Sequence, residues 1–194
     1  METKDTSKKI LDASLRVFSK SGYHDAHIDD VAKLAGVAKG TVYLYYSGKK
    51  ELFISLLKDV ATNHLEKVTL IRKNEEELDK KLLMVVSEHF KLFEAKKDML
   101  QSNFHEIIHS DKEMKKTVFS FRDKYRDLIG SLIADSMSKK SPNDNYIKDV
   151  STAFLGLMFA FEMELMHRKK DFKIEELSER IVDIFMNGIK GNIS

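Results

Sequence analysis

Cysteine is absent from the chain, which excludes disulfides, thiolate metal sites and a thiol nucleophile. Tryptophan is absent too, and one proline, Pro142, and eight glycines are spread over 194 residues. So few breaks favour helices throughout. The longest apolar run, Phe154 to Phe161, falls far short of the ~20 residues of a membrane span. Met1-Glu2-Thr3-Lys4-Asp5 has no apolar segment of the signal-peptide kind, so a cytoplasmic location is expected. No glycine-rich phosphate loop follows a strand pattern, and no Ser-His-Asp set is recognisable by motif, so neither nucleotide hydrolysis nor triad chemistry has support.

What is present fits a globular protein of one large or two small domains: 42% of residues are hydrophobic and 33% charged. The net charge of +2 is unevenly spread. Residues 1–50 hold nine Lys/Arg against six Asp/Glu, and the remainder hold 24 against 25. The basic excess therefore lies at the N-terminal end, where phosphate attraction would use it.

Residues 7–21 place Ile10, Leu11, Leu15, Val17 and Phe18 at helical spacing, and Ser21-Gly22 is expected to end that helix. Ile28 to Ala35 is a second, shorter helix with Asp29 and Asp30 in its first turn, where the helix dipole favours negative charge. Gly36 supplies the backbone freedom for a sharp turn, and Val37 an apolar anchor. A third short helix follows, from Lys39 to Tyr46, carrying a cation, Gly40, Thr41 and three tyrosines. Helix, tight turn and short polar-aromatic helix make a helix-turn-helix, a unit suited to a DNA major groove.

Residues 7–55 resemble the N-terminal DNA-binding domain of TetR-type transcriptional regulators. The matching runs are Ile10 to Phe18, Gly22-Tyr23, Ile28 to Tyr46 and Lys49-Lys50-Glu51-Leu52-Phe53. The resemblance implies DNA contacts from Lys39, Gly40, Thr41, Tyr43, Leu44 and Tyr45, and a phosphate grip from Lys49. Three residues depart from the family pattern. His27 stands in place of a Ser or Thr cap, so that helix start should be weaker or use another cap, though the imidazole could itself touch a phosphate. Tyr46 replaces a Phe and needs a partner for its hydroxyl. Gly48 loosens the entry to the fourth helix.

The periodicity continues through Lys49–Arg72, Leu78–Lys96, Met99–His109, Asp111–Met137, Tyr146–Arg168 and Ile174–Ile189, with a break expected at Lys97-Asp98. The expected fold is all-α with about nine helices: a DNA-binding domain over 1–48 and a helical effector-binding and dimerisation domain over 49–194. Phe154, Leu157, Met158, Phe161 and Leu165, extended by Phe159 and Met163, form one broad apolar face. Leu177, Ile181, Ile184, Phe185 and Ile189 form another. Two such helices meeting their two-fold copies would make a four-helix interface, and the resemblance implies a homodimer of this kind on a palindromic operator.

His64, Phe90, Phe93, Phe104, His105, Phe121, Tyr125, Phe154, Met158 and Phe161 could line an apolar ligand cavity, or equally form an ordinary core. The stretch from Gly36 to Lys58 is most similar to the fatty-acid-responsive FadR-type branch, which implies a long-chain acyl-CoA effector. A multidrug-type sensor of apolar cations is the alternative, with Glu106, Glu162 and Glu164 available to it. His105-Glu106-Ile107-Ile108-His109 also spells the H-E-x-x-H of zinc hydrolases. It lacks a companion motif for the third ligand, so the expectation is a non-enzymatic protein without a cofactor, with a metal or polar ligand group held without catalysis by His105, His109 or His64 as the alternative.

Overall fold

The computed structural model describes residues 2–101, 111–137, 143–168 and 172–188. All regular structure among them is helical: α1 (Glu2–Asp25), α2 (Ile28–Ala35), α3 (Lys39–Tyr45), α4 (Lys49–Lys73), α5 (Leu78–Gln101), α6 (Lys112–Ser136), α7 (Asp144–Arg168) and α8 (Ile174–Asn187). Two expectations change. Helix α1 is interrupted rather than ended at Gly22, whose φ of 70° and ψ of 176° are non-helical, and it resumes to Asp25. Helix α5 passes through Lys97-Asp98 without a break. Charged side chains leave the backbone hydrogen bonds intact, whereas a glycine or proline would weaken them. Met99 to Gln101 therefore belong to α5, and the rest of the expected 99–109 helix, with Phe104 and the 105–109 motif, lies outside the described residues.

The chain packs as two compact units, residues 1–62 with 96–121, and residues 63–95 with 122–194. In the first, Ile10, Phe18, Val31, Val42, Leu52, Phe53 and Leu56 are buried in one cluster that Met114 completes. Phe53 meets Phe18 edge-on at 4.9 Å and Tyr23 at the same distance. Helices of eight and seven residues, such as α2 and α3, are too short to persist alone. They hold because Val31, Ala32 and Val42 are buried in this core, each large apolar side chain contributing about 1.5–3 kcal/mol.

In the second unit Val68, Leu82, Val85, Val86, Phe90, Ile129, Leu132, Phe154, Met158, Leu177 and Ile181 are buried. Helices α6 and α7 come close at Gly130, where an added Cβ would lie 3.0 Å from Ile147 Cγ2 and 3.4 Å from Ser151 Oγ. Arg72 donates two hydrogen bonds to Asp135, of 2.6 and 3.3 Å, which join α4 to α6.

Candidate nucleic-acid interface and interior polar cluster

The turn between α2 and α3 is built from backbone bonds. Gly36 adopts the left-handed conformation, with φ of 69° and ψ of 33°. Its N–H donates to the Lys33 carbonyl at 3.3 Å, and the Val37 N–H donates to that of Ala32 at 3.0 Å. This is the Schellman closure, and it needs a residue that tolerates positive φ. At the other end of α2, His27 takes the extended N-cap conformation without a side-chain capping bond, as its residue type led one to expect.

Helix α3 turns Val42 inward and leaves Lys39, Gly40, Tyr43 and Leu44 exposed. Tyr43 is 48% and Leu44 84% exposed. Thr41 and Tyr45 are half-buried. The Tyr46 hydroxyl has the partner it needs, lying 2.9 Å from Ser7 Oγ. Lys39 pairs with Asp29 at 2.8 Å, and that carboxylate holds its ammonium above the ordinary lysine value. A phosphate at Lys39 would thus compete with Asp29.

Lys49 is engaged inside its own unit. Its ammonium donates to the carbonyls of His24 at 2.6 Å and Ala26 at 3.2 Å, and sits 5.1 Å from the centre of the Tyr23 ring. These contacts account for two of its three N–H donors. The opening of α4 is braced again by Glu51, which accepts from the Ser47 N–H at 2.7 Å, and by the Lys50–Asp111 ion pair at 2.7 Å. Glu51 offsets the looseness that Gly48 introduces.

The second unit holds a polar cluster in its interior. His64, His89 and Tyr125 are buried, their ring centres 4.9 to 6.2 Å apart. His89 Nε2 lies 3.1 Å from Glu162 Oε1, within ion-pair range though not aligned as a hydrogen bond. Burial and the neighbouring His89 push the His64 imidazole down to about 4, while burial pushes the Tyr125 hydroxyl up. Of the candidate ligand residues, His64, Phe90 and Tyr125 gather around His89, and Phe93 packs on Phe90 at 6.2 Å. Phe154 packs on Phe185 at 4.6 Å, Met158 is buried, and Phe161 is half-buried beneath Arg180. Phe121 belongs to the first unit; Phe104 and His105 lie outside the described residues. A groove of about 550 Å³ in the second unit is lined by other residues, among them Leu70, Met84, Glu88 and Ser178. His89 escaped the sequence reading because it falls in phase with apolar neighbours and no motif marks it.

The two faces expected on the last helices divide into an inner and an outer row. Phe154, Met158, Leu177 and Ile181 are interior, whereas Phe159 and Met163 of α7 and Ile184 of α8 are exposed, joined by Met186, which lay on neither expected face.

The model of bacterial regulatory proteins of the tetR family matches residues 10–56, the span from the first core residue of α1 into α4. Residues 10–56 are a tetR-family domain. The chain's likenesses are to transcriptional regulators rather than to enzymes. The chain is 22% identical to the fatty acid metabolism regulator protein of Bacillus subtilis, over 93% of its own length and 94% of that protein's. Its fold resembles that of B. subtilis FadR in complex with stearoyl-CoA, with a TM-score of 0.76 at 22% identity, covering 94% of this chain and 98% of that one. FadR from Bacillus halodurans gives 0.79 at 22% identity, covering 95% and 96%. At this identity the likeness to the two structures establishes a shared fold.

Proposed function

We propose that this chain is a homodimeric, cytoplasmic repressor that binds a palindromic operator and releases it when a long-chain acyl-CoA binds. The observation that carries the operator half is the surface of α3: an anchored helix that turns Tyr43 and Leu44 outward. In this reading residues 1–48 read DNA, with His27, Lys39, Gly40, Thr41, Tyr43, Leu44, Tyr45 and Lys49 at or near the contact, and residues 49–194 bind effector and partner. The outer row on α7 and α8 meets its two-fold copy, which sets two copies of α3 on successive major-groove faces ~34–36 Å apart.

The acyl-CoA assignment rests on similarity along nearly the whole chain to a fatty acid metabolism regulator, and on the stearoyl-CoA in the related FadR structure. The effector must prefer one spacing of the two reading helices, since equal affinity for both states shifts nothing. Helix α4 contributes residues to both packing units and is the proposed lever. Glu162 beside His89 and the aromatic rings favours a second reading, an apolar cation as effector.

Gel-shift with the chain's own upstream DNA tests the proposal, with stearoyl-CoA or an apolar cation added to the complex. Release by stearoyl-CoA is expected. Release by the cation alone would replace the effector, and failure to bind at low salt would remove the operator.

A further inference from the structure

Leu44 has no packing role that accounts for it. It is 84% exposed, the most open large apolar side chain among the described residues, on a helix that is otherwise anchored. One turn back on the same face stands Gly40. A Cβ added there would meet nothing within 4 Å, and its backbone is ordinary helix, so neither packing nor torsion within the chain calls for glycine. Glycine in a helix is nonetheless costly relative to alanine. A bare patch beside a projecting leucine fits a surface that comes very close to something outside the chain.

We propose that Leu44 reads the C5 methyl group of a thymine in the major groove, and that Gly40 is bare so that α3 can approach closely enough for this contact. The proposal rests on the operator-binding reading above and specifies what that surface selects. Of the four bases, thymine alone offers an apolar group in the major groove. Against any other base edge the leucine would cover polar atoms without replacing their hydrogen bonds. Tyr43, its exposed neighbour, carries a hydroxyl and suits a phosphate or a polar edge instead.

The test uses the full-length protein and the duplex that it enriches from a random pool. Each thymine is replaced in turn by uracil, which removes the methyl and nothing else. The wild type should lose about fourfold in affinity at one thymine of the half-site, the worth of one buried methyl. Leu44→Ala should bind more weakly and be indifferent to uracil at that position. Gly40→Ala should keep or slightly raise the melting temperature yet bind every duplex more weakly. A wild type that holds the duplex and ignores uracil everywhere would overturn the thymine contact while leaving DNA binding intact. So would a Leu44→Ala variant that keeps the wild-type pattern. Gly40→Ala binding as tightly as the wild type would overturn the close approach. If no duplex is enriched at all, both the contact and the operator fall together.

Discussion

Lys49 ends against the carbonyls of His24 and Ala26 and the ring of Tyr23. Its first effect is therefore to tie the start of α4 to the chain that leads into α2. Lys49→Ala should lower stability by about 1–2 kcal/mol, since bonds from a charged donor outweigh neutral ones. Urea unfolding checks this; an unchanged midpoint with weakened DNA binding would make Lys49 a phosphate contact and no more. A second prediction concerns His64. Its folded-state value of about 4 lies below the unfolded value near 6.5. Between the two the unfolded chain binds the extra proton, so stability falls as pH drops from about 6.5 towards 4, by at most about 3 kcal/mol. His64→Leu should flatten that part of the stability profile, and an equally steep acid loss in the variant would assign it to other groups. Residue types revealed Gly36, because a left-handed turn leaves little choice, and the need of Tyr46 for a partner. They did not reveal that Ser7 is the partner, that Lys49 points inward, or that His89 meets Glu162. Those facts depend on which helices lie side by side.

Among the elements, the boundaries most legible in sequence are those set by backbone chemistry. The end of α2 is dictated by Gly36, and the start of α6 by Asp111, whose Oδ1 accepts from the Glu113 and Met114 N–H groups at 2.9 and 3.0 Å. The boundary misread at Lys97-Asp98 had only charge behind it, and charge does not stop a helix. Glycines within helices are the least legible. Gly130 and Gly156 look alike in sequence, yet Gly130 faces Ile147 and Ser151 at contact distance while Gly156 faces open space. Gly130→Val should destabilise by about 1–3 kcal/mol through overpacking. Gly156→Ala should stabilise by about 0.5–1 kcal/mol. Calorimetry of the pair decides it; a Gly130→Val variant as stable as the wild type would mean that α6 and α7 are not packed at Gly130.

At the scale of the whole molecule, helical periodicity and the matching runs over residues 7–55 were enough to read the all-α class and the DNA-binding end. The C-terminal part was far less legible, because the Phe and Met residues of a pocket and of a core have the same periodicity. The structure places Phe154 and Met158 in the interior and gathers His64, Phe90 and Tyr125 around His89, an arrangement that residue type alone could not distinguish from a dispersed core. The exposed row of Phe159, Met163, Ile184 and Met186 belongs to this scale as well. Phe159→Glu with Ile184→Glu should convert a dimer to monomers in sedimentation equilibrium and weaken operator binding without loss of helical signal. A double variant that stays dimeric would move the interface elsewhere. The central claim is most directly tested by the salt dependence of binding between the full-length protein and its own upstream DNA, followed by fluorescence anisotropy with random duplex as the control. The account predicts tight binding at low salt, a linear fall of log K with log salt, and a clear preference for the upstream duplex. No binding at low salt, or equal binding to both duplexes at every salt, would contradict it.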